Sequence, residues 1–284
     1  EEIPIELSLH PTVMEEYKRI ENTLIEVMRN DKKVARKIMS KYLQLASIYP
    51  DQPYGNDPII NPLSKELEPI IVPKDTATPD DLSDKDLAVL DIVESKVKNN
   101  ERVLIYTNWV KIDTQDKLMK LLEKGYRTEI LRVNVPPDKR EKWVEDKVKE
   151  GVNVIITNPS LVETGLDLNA FTNVIYYNIG YNLFTFRQSS RRSWRINQTA
   201  PVYMLYYKGV MQERALKLMA SKLTVATIIE GNLSDEGLAA MSECQDMTTL
   251  LAKELTMGIK SEVDDLSAAF KKMAIIHQRT EENT

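Results

Sequence analysis

The chain has 284 residues, 42% hydrophobic and 29% charged, with a formal net charge of −5, a globular composition that excludes a disordered or fibrous protein. One cysteine, Cys244, and two histidines, His10 and His277, exclude an intrachain disulfide and argue against a zinc site or a His-dependent catalytic set. They fit a reducing, intracellular setting, cytoplasmic or, in a eukaryote, nuclear, and no apolar run approaches the roughly 18 residues of a membrane span.

The first residue is Glu, which suits a piece of a longer protein. A short strand is expected over 3–9, then a helix opened by a Thr12–Glu15 capping box, with Val13, Tyr17, Ile20, Leu24 and Val27 on one stripe. A second helix is expected over 33–48. Seven of the 13 prolines fall between Pro50 and Pro79, so a loop-rich crossing follows. Leu87, Leu90, Val93 and Val97 predict another helix.

From Arg102 the pattern changes. Apolar, β-branched runs at 103–107, 128–133, 152–157, 173–178 and 202–207 alternate with helical stretches at 113–122 and from Pro136 to about Glu150. That alternation predicts an α/β fold, a parallel sheet with helices on both faces. Ligands collect at the carboxyl ends of such strands, where Thr107, Asn108, Asn134, Thr157, Asn158 and Asn178 gather. After Gly209 the chain reads as helical: Leu216, Met219, Leu223 and Ala226 form a stripe that Gly231 would stop. Ser234 could cap a further helix, and Leu266, Phe270 and Met273 mark the last. Three regions are expected: a helical flank with the Pro-rich crossing (1–82), an α/β lobe (83–232) and a C-terminal helical extension (233–284).

The charge is unevenly placed. Residues 101–210 hold 17 Lys and Arg against 12 Asp and Glu, a net of +5, which leaves −10 elsewhere. Residues 168–210 carry Arg187, Arg191, Arg192, Arg195 and Lys208 and no carboxylate. This describes an anion site, or equally a basic face paired with acidic neighbours. On a helix, Gln188, Arg192 and Arg195 would share one face. Two guanidiniums there repel unless an anion lies between them, and guanidinium geometry suits phosphoryl oxygens. An arginine-rich surface helix has the same spacing.

Gln188, Arg192, Arg195, Ile196 and Gln198 resemble motif VI of superfamily II, Swi/Snf-type ATPases, Q-x-x-x-R-x-x-R-I-G-Q, with Trp194 and Asn197 where the family usually has His and Gly. Residues 155–168 resemble motif V, with Gly165-Leu166-Asp167-Leu168 in place of the usual Gly-x-Asn-Leu. Residues 102–109 resemble motif IV, and the three motifs follow in order, each after a β-like run. The likeness spans about residues 1–232.

This resemblance implies a RecA-like C-terminal helicase lobe of a DNA-dependent ATPase, a helicase or DNA translocase. Arg192 and Arg195 would reach the ATP triphosphate, with Arg195 the leading arginine finger. Gln188, Gly165 and Asp167 would support the nucleotide, Asp167 by bonding a ribose hydroxyl or orienting an arginine. Thr107, Asn108, Thr157, Asn158 and Ser160 would contact the nucleic-acid backbone. The expected partner is DNA, double-stranded in preference to single-stranded, with RNA also compatible.

No G-x-x-x-x-G-K-[ST] loop occurs, nor Walker B carboxylates before residue 100. ATP and Mg²⁺ would then be bound mainly by an N-terminal RecA-like lobe of the same parent protein, and this chain alone would be close to inactive. Two other readings remain open on sequence: a non-catalytic protein- or DNA-docking module with a relic motif VI, and an unrelated nucleotide-binding α/β domain such as a transferase.

Overall fold

A computed structural model of the chain describes residues 2–109, 113–162, 166–180, 182–193, 200–230, 251, 266 and 268–270, without the side chains of residues 183, 184, 191 and 224–230. In chain order, β1 (Glu2–Leu7) leads into α1 (Pro11–Asn30) and α2 (Lys32–Ile48). The Pro-rich crossing holds a short antiparallel pair, β2 (Ile59–Ile60) and β3 (Pro69–Ile71). Then come α3 (Asp84–Lys98), β4 (Val103–Tyr106), α4 (Thr114–Leu122), β5 (Thr128–Leu131), α5 (Arg140–Lys149), β6 (Val154–Thr157), β7 (Asn173–Tyr176), α6 (Leu183–Arg191), β8 (Val202–Tyr207) and α7 (Met211–Glu230).

Six strands form one parallel sheet in the order β1-β8-β7-β4-β6-β5. β4, β6 and β7 are buried at every residue, as expected of strands covered on both faces. Alternation divides them. Leu104, Tyr106, Ile155, Val174 and Tyr176 face one core with Val144 of α5, Phe186 of α6 and Leu216, Met219 and Leu223 of α7. Val103, Ile105, Val154, Ile156 and Ile175 face another with Val89 and Val93 of α3 and Leu118 and Leu122 of α4. This is the RecA-like α/β fold that the sequence predicts. A third core joins Val13, Tyr17, Ile20 and Leu24 of α1 to α2 and to Met211 and Ala215 of α7, while β1 adds the sixth strand.

Local details differ from the sequence reading. No capping box forms at Thr12, because Pro11 already occupies the first turn of α1, where its missing N–H costs nothing. The capping box lies at α3 instead: Ser83 Oγ accepts from Asp86 N–H (3.2 Å) and the Asp86 carboxylate from Ser83 N–H (2.8 Å). The α3 stripe packs inward at Leu90, Val93 and Val97, but Leu87 is 47% exposed, and Lys85, Asp86 and Val89 turn inward in its place. β5 stops at Leu131 and Val133 is 78% exposed. Pro137–Lys139 forms a 3-10 turn before α5 begins. α7 is described as far as Glu230, and Leu266 and Phe270 pack into the core that α7 covers. The expected Gly231 stop, Ser234 cap and Met273 lie outside the described residues, as does the side chain of Ala226.

The inward turn of α3 has an electrostatic cause. Fully buried Lys85 places Nζ 2.8 Å from Asp51, 2.8 Å from the Tyr177 carbonyl and 2.9 Å from Gln212 Oε1. The rings of Tyr177 and Tyr207 lie 5.3 and 5.1 Å away. Burial pushes the Lys85 pKa down, and the Asp51 carboxylate opposes that shift. Asp86 accepts from Tyr177 Oη (2.9 Å) and pairs with Lys117 of α4 (2.8 Å). Lys85→Met, which leaves Asp51 buried without its cation, is expected to cost about 3–5 kcal/mol. Adding Asp51→Asn should restore most of that loss, and urea denaturation of the two variants measures both effects.

Candidate functional site at the carboxyl ends of the strands

β4 lies between β6 and β7; the chain leaves β4 towards β5 but leaves β7 towards β8. Connections therefore diverge between β4 and β7, the place where open parallel sheets form their ligand crevice. The residues beyond these strands close onto one another. Asn108 N–H donates to Asn178 Oδ1 (2.6 Å) and Asn108 Nδ2 to the Asn178 carbonyl (2.7 Å). From the other side, Asn158 Nδ2 donates to the carbonyls of Thr107 (3.1 Å) and Asn108 (3.2 Å). Asn158 Oδ1 accepts from Ser160 N–H (2.9 Å) and Ser160 Oγ (2.6 Å), shaping the 3-10 turn Pro159–Leu161.

The five residues expected to meet the nucleic-acid backbone thus share one ledge but present different groups. Thr107 and Thr157 are fully buried. Thr107 Oγ1 accepts from Gln115 Nε2 (2.9 Å), and Thr157 Oγ1 donates to the Leu131 carbonyl (3.0 Å). The Thr107 hydroxyl ties the end of β4 to α4 and the Thr157 hydroxyl ties β6 to β5, and neither faces solvent. Ser160 is exposed, and Asn108 and Asn158 are half-buried.

α6 lies beside this ledge, with the 3-10 turn packed against it. Asn182 caps it by accepting from Thr185 N–H (3.1 Å). Two buried tyrosines pin it to the sheet: Tyr106 Oη donates to the Ser189 carbonyl (3.1 Å), and Tyr176 Oη sits 2.5 Å from Ser189 Oγ and 3.2 Å from the Phe186 carbonyl. Burial, more than any neighbouring charge, pushes both tyrosine pKa values up, so each hydroxyl keeps its proton. Gln188 and Arg192 share a face as the spacing predicts, with Arg192 Nη2 3.5 Å from Gln188 Oε1. The Arg192 carbonyl accepts from Leu168 N–H (3.2 Å), joining the end of α6 to the motif V segment. Asp167 is exposed, and its Oδ1 accepts from Asn169 N–H (3.0 Å). Arg195 and Gly165 lie outside the described residues.

Part of the basic cluster has acidic neighbours after all. Arg187 lies 3.4 Å from Glu2 and Lys208 2.8 Å from Glu6, both carboxylates on β1. Among the described residues, no three His, Cys, Asp or Glu side chains converge as a metal site, and no helix is long and apolar enough to cross a membrane.

The RecA-like sheet thus carries the motif-like segments at its strand ends, with an arginine-bearing helix beside them. Residues 84–197 match the family described as "Helicase conserved C-terminal domain". The match takes in α3 through α6, less than half of the chain. The chain is 28% identical over 180 residues to the ATP-dependent DNA helicase DDM1 of Arabidopsis thaliana, covering 60% of this chain and 23% of that protein. It is also 28% identical over 166 residues to the chromatin-remodeling ATPase INO80 of Mycosarcoma maydis, covering 55% and 8%. The chain thus matches less than a quarter of the length of either relative. In fold it resembles the C-terminal part of the Fun30 ATPase domain, with a TM-score of 0.62 at 15% identity over 90% of this chain and 98% of that one. It likewise resembles the Sulfolobus solfataricus SWI2/SNF2 ATPase core in complex with dsDNA, with a TM-score of 0.56 at 20% identity over 89% and 49%.

Three groups that hold this site carry no signal in the sequence, Tyr106 and Tyr176 under α6 and Ser189 on it, whereas Asn178 is among the strand-end residues expected there without a role. The signal for Asn178 was present, since Thr107-Asn108, Thr157-Asn158 and Tyr177-Asn178 each close a strand. Tyr106→Phe removes the bond to the Ser189 carbonyl, and Tyr176→Phe removes the contacts to Ser189 Oγ and the Phe186 carbonyl, while Ser189 Oγ keeps the Thr185 carbonyl. Each is expected to lower stability by about 1 kcal/mol, read as a lower urea midpoint at unchanged m-value.

Proposed function

We propose that this chain is the C-terminal lobe of a DNA-dependent ATPase that translocates on, or unwinds, nucleic acid. The observation that carries this reading is the junction of α6 with the strand-end ledge. Arg192 stands at the end of a helix pinned to the sheet by two tyrosines, and its own carbonyl is bonded to the segment carrying Asp167. A permanently charged, planar guanidinium in such a fixed place suits the charge that develops on a transferred phosphoryl group. The names of the relatives, which describe ATP-dependent helicases and remodelling ATPases, support the same class.

In this proposal ATP binds between this lobe and an N-terminal RecA-like lobe of the same protein. That second lobe cradles the β- and γ-phosphates and holds Mg²⁺. The described residues here offer guanidinium, amide and hydroxyl groups and the single carboxylate of Asp167, a set that suits a nucleotide phosphate better than Mg²⁺. Arg192 and Arg195 reach the triphosphate when the lobes close; Gln188, Gly165 and Asp167 support that geometry. Asn108, Asn158 and Ser160 meet phosphates of a DNA strand, over the scaffold that Thr107 and Thr157 form beneath them. Duplex DNA is the favoured substrate. Residues 83–232 act as the lobe proper, with 1–82 and 233–284 as flanks.

Arg192→Ala and Arg195→Ala, made in the protein joined to its N-terminal lobe, are expected to lower the DNA-stimulated kcat about 10³-fold. The KM for ATP should change far less, since the lost contact forms in the transition state. Steady-state ATP hydrolysis with saturating duplex measures both, and an unchanged kcat in either variant removes that arginine from the role. The 284-residue chain alone is expected to hydrolyse ATP at background rate; a substantial rate from the pure chain overturns the two-lobe assignment.

A further inference from the structure

We propose that Asn178 is a positioning residue for Asn108, fixing it in the single pose in which it meets the nucleic-acid backbone; this rests on the nucleic-acid reading above. Asn178 is 1% exposed and sits at the divergence between β4 and β7, where the sheet would otherwise open a crevice. Its side chain and its carbonyl both engage Asn108, one through the backbone N–H and one through the carboxamide. Each amide orientation is dictated by a backbone group of fixed polarity. An N–H of Asn108 must meet an oxygen of Asn178, and a carbonyl of Asn178 must meet the Asn108 NH₂. Asn158 holds the carbonyl of the same Asn108 residue from the β6 side. The peptide units around Asn108 are therefore gripped from both neighbouring strands, while its half-buried carboxamide retains one N–H beyond the bond to Asn178. That remaining donor is the group a phosphate oxygen would take.

Gly180 completes the arrangement. A Cβ on Gly180 would stand 2.5 Å from Asn108 Oδ1 and 3.0 Å from its Cγ. Only a residue without a side chain leaves the Asn108 carboxamide where Asn178 holds it. The obstructed atoms are the far end of a side chain, so Gly180→Ala would swing that carboxamide aside at little cost to the fold. Asn178 Nδ2, in turn, has no acceptor among the described residues. Asn178→Asp therefore keeps the acceptor for Asn108 N–H and gives up no protein hydrogen bond.

The test uses the 284-residue chain with two readouts: amide hydrogen exchange at Asn108, and affinity for a short fluorescein-labelled duplex of arbitrary sequence. Asn178→Ala should speed exchange at Asn108 about ten-fold or more, leave Ile105 inside β4 protected, and weaken duplex binding about ten-fold. Asn178→Asp should restore slow exchange, because its carboxylate accepts from the same N–H, while its negative charge keeps duplex binding weak. Gly180→Ala should weaken duplex binding similarly at an unchanged melting temperature, and it carries the test if Asn178→Ala does not fold. Unaltered exchange at Asn108 in Asn178→Ala overturns the grip itself. Faster exchange with duplex affinity equal to wild type, in a chain whose wild-type binding weakens with salt, overturns the positioning role and leaves the nucleic-acid reading standing. A wild-type chain that binds no duplex at low salt overturns both.

Discussion

The lobe is organised around one buried ammonium. A lysine carries three donors, and at Lys85 each finds an acceptor on a different part of the chain: the Asp51 carboxylate after α2, the Tyr177 carbonyl after β7 and the Gln212 amide in α7. An ammonium taken from water without such partners would cost far more than a domain's margin of stability. The position therefore tolerates no alternative register of α3 against the sheet. The N-terminal flank is also drawn in, because the counter-charge comes from the far end of α2. The carbonyl that Lys85 grips belongs to Tyr177, so the peptide leading into Asn178 is anchored from below while Asn178 holds Asn108 from above.

Much of the sheet was legible because its periodicity is strict. β4 offers Val103 and Ile105 to one core and Leu104 and Tyr106 to the other, and the linear pattern of apolar, β-branched residues carries that division. The α3 stripe holds at Leu90, Val93 and Val97 and fails at its first position. Its stripe of leucines invited an apolar face, yet Leu87 faces water and Lys85 and Asp86 face inward. Nothing local marks a lysine for burial when its counter-ion lies across the Pro-rich crossing. The misplaced capping box has the same character: Thr12 and Glu15 have the right spacing, but Pro11 ahead of them had already begun the helix. β1 was seen as a strand, whereas its place at the sheet edge beside β8 depends on pairing that no linear pattern encodes.

At the candidate site, chemistry was more legible than presentation. The grouping of Gln188 with Arg192 follows from helical spacing and is realised at 3.5 Å. Of the two readings of the basic cluster, pairing with acidic neighbours is realised at two positions. Arg187 and Lys208 are balanced by Glu2 and Glu6, carboxylates about two hundred positions earlier in the chain. The threonines at the strand ends looked like phosphate donors because polar residues after parallel strands so often face a crevice. Here the side chains of Thr107 and Thr157 turn under the ledge and satisfy Gln115 and Leu131 instead.

The asparagines explain why that ledge is closed. Where neighbouring parallel strands end and their connections part, backbone groups lose their ladder partners, and a buried unpaired carbonyl or N–H costs about as much as a lost hydrogen bond. Water filling a crevice is one remedy. This chain uses carboxamides, which carry a donor and an acceptor on one short arm and so bridge one strand end to the next. The consequence is mechanical. In the proposed motor, closure moves the lobe as a body, and a contact made by Asn108 advances a DNA strand only if it does not slacken against its own sheet. A loop hydrated at the β4–β7 divergence would absorb such motion in its torsions. Bridged by Asn178 and Asn158, and tied through the turn after β6 to α6, the same loop moves with the arginine-bearing helix, so that the phosphate-facing and nucleotide-facing edges of the lobe are parts of one rigid layer.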